Sequence, residues 1–307
     1  MLHSRTFPPV AAVSVTETRD TLGFALGLAG MALFAGTLPA TRLAVGSIDP
    51  LFLSAARAAI AGCAGVIVLM ATRRHLPSRA LRGQLVLTGV CTIIGFPVFM
   101  ALAMASVPAA HGGIVLGIVP LATAGASAII GHERPSLGFW LASAAGAGVV
   151  LLFVMTRNEA ASFALGDLFL IGTVISGGFG YALSGRLSVT MPGWEVISWQ
   201  VALFMPLSAL AAALLWPAGL SSAPPSAWAG LAYVSFISQF LAFFVFNAGL
   251  ALGGVARVGQ VMLLQPFAIV ALAWPVNGEP IKLSTLAYAA AVVVIVLIGQ
   301  RMHVTRC

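Results

Sequence analysis

Residues 105–137 read ASVPAAHGGIVLGIVPLATAGASAIIGHERPSL, and residues 251–283 read ALGGVARVGQVMLLQPFAIVALAWPVNGEPIKL. The second stretch repeats the first without a gap at an offset of 146 residues. Each copy places a proline, Pro120 or Pro266, 13 residues before a glutamate, Glu133 or Glu279. Self-similarity at a fixed offset indicates structural repetition. The chain is therefore predicted to consist of two related halves.

The composition places most of this chain in lipid. Of its 307 residues, 60% are hydrophobic and 7% are charged, whereas soluble domains carry about 25% charged residues. Because no soluble core buries this much apolar surface, we predict an all-α integral membrane protein. The net charge of +7 is assigned to membrane topology and not to nucleic-acid binding, since the arginines lie between apolar runs.

Ten apolar runs are long enough to be membrane helices, which need about 20 residues each. We predict a flexible cytoplasmic tail over 1–20 that is not a cleaved signal, a first repeat of five helices over 21–156, and a second repeat of five over 164–302. The predicted spans are 22–44, 51–71, 82–104, 109–130, 137–155, 167–188, 195–216, 227–249, 254–276 and 284–301.

The basic residues predict the orientation of these spans. With the N-terminus in the cytoplasm, 11 of the 15 Lys and Arg residues fall inside and three outside, while Arg57 lies within a span. This bias predicts that both termini are cytoplasmic. Because five crossings separate the copies, the second repeat is inverted relative to the first. Inverted repeats share a central seam, which alternating access can open to either side.

The chain resembles the EamA-type branch of the drug/metabolite transporter superfamily. The resemblance covers about residues 20–302 and rests on the five-plus-five duplication, on Arg57 in LFLSAARAAIAG, and on the paired segments PLATAGASAIIGHE and QPFAIVALAWPVNGE. It is greatest towards the YddG-type exporters of aromatic amino acids. This resemblance implies efflux of small metabolites across the bacterial inner membrane, through a cavity between the halves.

Two chargeable residues of the first half are candidates for substrate contact. Arg57 lies about 10 Å deep in its span, where it either pairs with a substrate carboxylate or bonds helix-end carbonyls as a structural arginine. His111 is either a gate residue or proton acceptor, since imidazole titrates near pH 6.5, or an interfacial histidine bonded to a loop.

The remaining candidates are uncharged. Pro120 and Pro266 lie near the centres of spans four and nine, where each produces a hinge or a fixed kink. Aromatic side chains, including Phe96, suit an apolar substrate group, although phenylalanine is common in any span. The G-x-x-x-G pairs are expected to serve packing within the chain. Polar side chains that either line the cavity or bond neighbouring helices are Tyr181, Gln239, Asn247, Gln260 and Gln265.

The sequence favours a carrier over other membrane proteins. All eight carboxylates map to tails, loops or span ends, which favours exchange or facilitated efflux over carboxylate-based ion coupling. We expect no catalytic residues, no metal and no cofactor, because no acid, histidine or nucleophile cluster appears. We expect a monomer that contacts lipid and a small-molecule substrate, most simply a neutral or aromatic amino acid. The alternatives are a drug carrier or importer on the same scaffold and, less favoured, a membrane enzyme or a channel.

Overall fold

The computed structural model describes residues 10–104, 115–130, 133–155, 165–277, 283–302 and 304–306. Six helical segments in these ranges are long and apolar enough to cross a membrane: Arg19–Val45, Pro50–Ala71, Arg79–Ala103, Leu168–Thr190, Gly193–Leu214 and Pro225–Gly253. Four shorter apolar helices are Val119–Ile130, Leu137–Val149, Val255–Ile269 and Ala290–Gly299. The predicted all-helical membrane fold with ten helices is thereby confirmed. In chain order, we call these ten helices span one to span ten.

Several spans contain more than one helix. The first begins at Val10, so residues 10–20 of the predicted tail are helical, because no proline or glycine interrupts the chain before Gly23. The helices are Val10–Ala35 and Thr37–Val45 in span one, Pro50–Ala71 in two, Arg79–Gly89 and Phe96–Met104 in three, Val119–Ile130 in four, Leu137–Met155 in five, Leu165–Thr190 in six, Gly193–Leu214 in seven, Pro225–Ala232 and Ala242–Gly253 in eight, Val255–Gly259 and Gln265–Asn277 in nine, and Leu283–Arg301 in ten.

The two halves pack in a pattern with pseudo-twofold character. Span two contacts span seven, its counterpart. Span one contacts span eight, and span six contacts span three. These two contacts are equivalent, because span six is the counterpart of span one and span three is the counterpart of span eight. Because the copies are separated by five crossings, they point in opposite directions through the membrane, as the predicted inverted repeats require.

Spans one and eight approach closely through the predicted G-x-x-x-G pairs. A Cβ atom on Gly249 would lie 2.6 Å from the backbone nitrogen of Gly27, and one on Gly23 would lie 2.7 Å from the Cα atom of Gly253. Real Cβ atoms do not come this close to backbone, so only glycine permits the contact. These pairs therefore serve packing within the chain, as predicted.

Spans three and eight each contain a π-helical segment near the middle of the span. These segments are Val90–Gly95 and Tyr233–Leu241. The 146-residue offset of the sequence repeat places the first segment onto the last six residues of the second. Single π turns inside α-helices are frequent at functional sites. Their repetition indicates that both halves use the same interruption.

Pro120 and Pro266 also lie at equivalent places. Each is the second residue of an α-helix, Val119–Ile130 or Gln265–Asn277. A turn at residues 117–118 precedes the first, and the 3₁₀ segment Gln260–Leu264 precedes the second. Because a proline in the first turn removes no helical hydrogen bond, the helix that follows each proline is regular, and the interruption of the span lies directly before it. Their role as hinges stays a prediction.

A short strand pair, which the sequence did not predict, joins the connection between spans four and five to the segment that follows span ten. Residues Glu133–Pro135 (β1) pair antiparallel with Val304–Arg306 (β2), with Glu133 opposite Arg306 and Pro135 opposite Val304. Six spans lie between the two strands. Because an even number of crossings returns the chain to the same face, this pairing agrees with the ten-span order.

Candidate functional site

A cavity with about 80 Å³ of space that water can occupy lies between the halves. One water molecule needs roughly 10–15 Å³ of such space, so this cavity has room for several. Val45 and Pro50 border it, so it lies towards the end of the bundle that carries the connection between spans one and two. Of the residues predicted from the sequence, those that line it are Arg57, Phe96, Tyr181, Gln239 and Gln265.

The other predicted site residues lie elsewhere. Gln260 donates from Nε2 to Ser143 Oγ at 2.7 Å, which links spans nine and five and matches the alternative interpretation of interhelical bonding. Asn247 is fully buried in span eight, where a Cβ atom on Gly193 of span seven would lie 2.9 Å from the Asn247 Cβ. Neither residue is part of the cavity wall. His111 lies outside the described residues.

Arg57 belongs to a polar group on the cavity wall. Its Nη2 donates to Ser238 Oγ at 3.4 Å, and Ser238 Oγ lies 2.8 Å from Thr37 Oγ1. We call these three residues the Arg57 cluster. It joins spans one, two and eight, and all three members line the cavity. The sequence therefore brings together one cation and two hydroxyl groups from three separate helices.

The charge of Arg57 has no counterpart in the described part of the chain. Within those residues, ion pairs form between Arg74 and Glu195 and between Arg257 and Asp20, and no carboxylate pairs with Arg57. Its buried Nε also has no hydrogen-bond partner among them. A cation inside a membrane span is costly unless it is paired or wetted. The cavity therefore presents a donor group suited to an anion.

Aromatic rings form the apolar side of this cavity. Phe34 packs edge-on against Phe243 with 4.9 Å between ring centroids, and Tyr181 packs at 5.3 Å against Phe246, a buried ring that does not itself line the cavity. Phe34 and Tyr181 themselves lie 6.1 Å apart. Phe96 lies close to span six, where a Cβ atom on Gly177 would be 3.1 Å from its ring. These rings suit a flat apolar group beside the polar Arg57 cluster.

The bundle is held closed at the end opposite the cavity. Arg257 Nη1 lies 2.8 Å from Asp20 Oδ2, which ties span nine to span one. Arg74 Nε lies 3.5 Å from Glu195 Oε2, and the Arg74 guanidinium lies 5.2 Å from the centre of the Trp194 ring. The close glycine contacts of spans one and eight lie in the same region. These contacts lie at the end of the bundle that the cavity lining does not reach.

The small hydroxyl residues of the cavity wall were not predicted from the sequence. They are Thr37, Thr41, Ser54, Thr92 and Ser238. A signal was present, because Thr92 and Ser238 are related by the same 146-residue offset as the repeat. Hydroxyl residues kept at equivalent positions of two apolar spans indicate a shared polar function.

Comparison with known proteins gives the same picture for the whole chain. The sequence matches the EamA-like transporter family over residues 21–155 and again over residues 164–299. It is 40% identical over 285 residues to the uncharacterized transporter YdeK of Bacillus subtilis (strain 168), covering 92% of this chain and 98% of that protein. It is 24% identical over 285 residues to the uncharacterized transporter YyaM of the same organism, covering 88% and 91% of the two chains. A solved crystal structure with 19% sequence identity superposes with a TM-score of 0.75, covering 91% of this chain and 98% of the other, which shows the fold.

Proposed function

This chain belongs to the EamA-like transporter family, and we propose that it exports aromatic and other neutral amino acids across the bacterial cell membrane by alternating access. It is a multi-pass membrane transporter and not an enzyme. The resemblance to YddG-type exporters supports the same class of substrate. The cavity between the halves is the proposed binding site.

The observation that carries this proposal is the uncompensated charge of Arg57 beside aromatic rings. A guanidinium binds a carboxylate through two parallel hydrogen bonds, which are about twice as strong as bonds between neutral groups. The amide of Gln239 and the hydroxyl of Ser238 provide oxygen acceptors for a substrate ammonium group. Phe96 and Phe243 then face the substrate side chain. An amino acid with an aromatic side chain matches all three surfaces.

The orientation predicted from the arginines assigns a conformation to the structure. With the N-terminus in the cytoplasm, the cavity faces the exterior, and the Asp20–Arg257 and Arg74–Glu195 ion pairs lie on the cytoplasmic side. The structure is then the exterior-facing conformation of the transport cycle. Rocking of the halves opens the cytoplasmic side in the other conformation.

The carboxylates favour transport down the substrate gradient. Asp20, Asp49 and Glu195 all lie close to the ends of spans, and Asp49 caps span two by accepting from the backbone nitrogens of Leu51 and Phe52 at 2.9 and 3.0 Å. Glu195 is buried, but it lies at the third position of its helix and pairs with Arg74. None of the three therefore lies near the middle of a span, where an ion-coupling site needs a compensating charge.

Transport by the purified protein in liposomes tests the proposal. Phenylalanine is expected to move down its gradient, with the same rate in the presence and absence of a pH gradient. Phenethylamine, which lacks the carboxylate, is expected to compete poorly because it cannot pair with Arg57. Failure to transport any of a panel of neutral amino acids, with uptake of a drug or a nucleotide sugar instead, would refute the proposed substrate class. Equal competition by phenethylamine would refute the role of Arg57.

A further inference from the structure

A second polar cluster lies behind the cavity wall. Gln200 of span seven donates from Nε2 to Ser184 Oγ of span six at 3.4 Å. The single hydroxyl proton of Thr92 in span three is shared between Gln200 Oε1 at 3.2 Å and the carbonyl oxygen of Thr88 at 3.0 Å. We call Gln200, Ser184 and Thr92 the Gln200 cluster. Gln200 and Ser184 are fully buried and Thr92 is 4% exposed.

The Gln200 cluster is the counterpart of the Arg57 cluster in the other half. Gln200 and Arg57 are each the eighth residue of their helices, Gly193–Leu214 and Pro50–Ala71. Thr92 and Ser238 are related by the 146-residue offset of the repeat, and each lies in a π-helical segment. Ser184 and Thr37 are related by an offset one residue longer. Each cluster thus contains one long polar side chain and two hydroxyl residues: Gln200 contacts both of its hydroxyls, whereas Arg57 contacts Ser238, which in turn contacts Thr37.

The Gln200 cluster lies between the cavity and the closed end of the bundle. Thr92 belongs to the cluster and also lines the cavity, so the two sites meet at this residue. On the other side, Glu195 lies earlier in the same helix and pairs with Arg74 at the closed end. Opening of the closed end would therefore expose the Gln200 cluster.

We propose that the Gln200 cluster is the substrate-binding site of the cytoplasm-facing conformation, where it replaces the Arg57 cluster as the main contact of the amino-acid backbone. This inference rests on the proposed function. Inverted repeats exchange their conformations during the transport cycle. A group that is exposed in the exterior-facing conformation is therefore buried in the cytoplasm-facing one, and its counterpart in the other half becomes exposed. The substrate would pass from the Gln200 cluster to the Arg57 cluster across Thr92, which is common to both sites.

The chemistry of the two sites predicts different affinities. The Gln200 amide offers donors to a carboxylate and an acceptor to an ammonium group, and the hydroxyls can do either. All three groups are neutral, whereas the bonds formed by Arg57 are charge-assisted and about twice as strong. Cytoplasmic loading through Gln200 is therefore expected to be weaker than binding from the exterior.

The half-saturation concentration on each side tests this assignment. In inverted membrane vesicles, which present the cytoplasmic face, Gln200→Leu is expected to raise the half-saturation concentration of phenylalanine about tenfold, because one or two hydrogen bonds are lost. In right-side-out vesicles, the change is expected to stay within about twofold. Ser198→Ala is the matched control, because Ser198 is equally buried in the same helix but donates to the Trp194 carbonyl oxygen of its own helix. Equal changes on both sides, or no change on either, would overturn the assignment.

Accessibility gives a second measurement that does not depend on transport. In a background with Cys63, Cys91 and Cys307 replaced by serine, Ser184→Cys is expected to react with a membrane-impermeant thiol reagent in inverted vesicles but not in right-side-out vesicles. Phenylalanine is expected to slow the reaction. Reaction from the exterior alone, or from neither side, would overturn the assignment even if Gln200→Leu failed to fold.

The two proposals fail in different ways. If cytoplasmic labelling of the Ser184→Cys protein occurs but no amino acid is transported or protects the thiol, the proposed substrate is wrong and so is the binding role of the cluster. If amino acids are transported but the thiol stays unreactive and Gln200→Leu behaves like wild type, only the inference about the Gln200 cluster is wrong.

Discussion

Replacing Arg57 with leucine distinguishes between a substrate-binding role and a structural role of this arginine. In the folded protein, its one hydrogen bond within the described residues is the 3.4 Å contact with Ser238 Oγ, and its buried Nε has no partner among them. Folding therefore gains little from this side chain. A charge at the centre of a membrane helix costs about 2.5–3.5 kcal/mol on insertion scales. Arg57→Leu is expected to leave thermal stability unchanged or to raise it.

The expected loss of substrate binding is much larger. A hydrogen bond to a charged group contributes about 1.5–3 kcal/mol, which corresponds to roughly 10- to 150-fold in affinity for each bond lost. Arg57→Leu should therefore raise the half-saturation concentration for phenylalanine by at least tenfold on this estimate. Uptake of phenethylamine should be much less affected, because that compound has no carboxylate that could pair with Arg57.

Two measurements on the same preparations test this expectation. Thermal unfolding in detergent gives the stability, and uptake into liposomes gives the half-saturation concentration. Arg42→Leu is the matched control. Arg42 is an exposed arginine in span one, near the same end of the bundle as Arg57, and it does not line the cavity. A lower unfolding temperature together with equal loss of uptake for both compounds would refute the reasoning and assign Arg57 a structural role.

Three further predictions concern the closed end, the packing and the orientation. The Arg257–Asp20 pair is partly exposed, with side chains 26% and 36% accessible. It should therefore stabilise the closed end by only about 0.5–1 kcal/mol. Arg257→Gln should thus speed cytoplasmic labelling of the Ser184→Cys protein about two- to fivefold, and an unchanged rate would contradict this. Gly30→Ala should lower the unfolding temperature, because the added Cβ atom would lie 2.7 Å from the Phe246 Cβ. Gly148→Ala should leave the unfolding temperature unchanged, because a Cβ atom added at Gly148 would have no neighbouring atom within 4 Å outside its own helix backbone. Equal unfolding temperatures would contradict this packing. A phosphatase that works only outside the cytoplasm should be inactive at the C-terminus and active in the 217–224 connection, and the reverse pattern would contradict the orientation.

The spans could be predicted because lipid restricts the backbone so strongly. Chain segments that cross the hydrocarbon core must satisfy their backbone hydrogen bonds internally, so long apolar runs become helices. The predicted EamA-type family is confirmed by the matches over both halves. The interruptions within spans were harder to place. Pro120 and Pro266 marked the right positions, but the sequence did not show that a turn or a 3₁₀ segment comes before each helix.

The depth of a residue in the bundle could not be read from the sequence. Gln239 and Asn247 are both amides of span eight, yet only Gln239 lines the cavity. Asn247 lies closer to Gly249 and Gly253, where the span packs tightly against span one. Which end of a span is open depends on the conformation of the whole bundle, and this is not a local property. The same limit hid Gln200, which lies towards the end that is now closed.

The difference between Arg57 and Gln200 bears on the thermodynamics of a carrier without an energy source. Detailed balance requires the free-energy changes around the transport cycle to sum to zero, whatever the two binding sites are made of. Tighter binding at the exterior site must then be matched by a shift of the loaded protein towards the exterior-facing conformation. A charged residue on one side and a neutral one on the other therefore cannot concentrate a substrate. The asymmetry sets instead which conformation the loaded protein occupies and how slowly substrate leaves at the outer face.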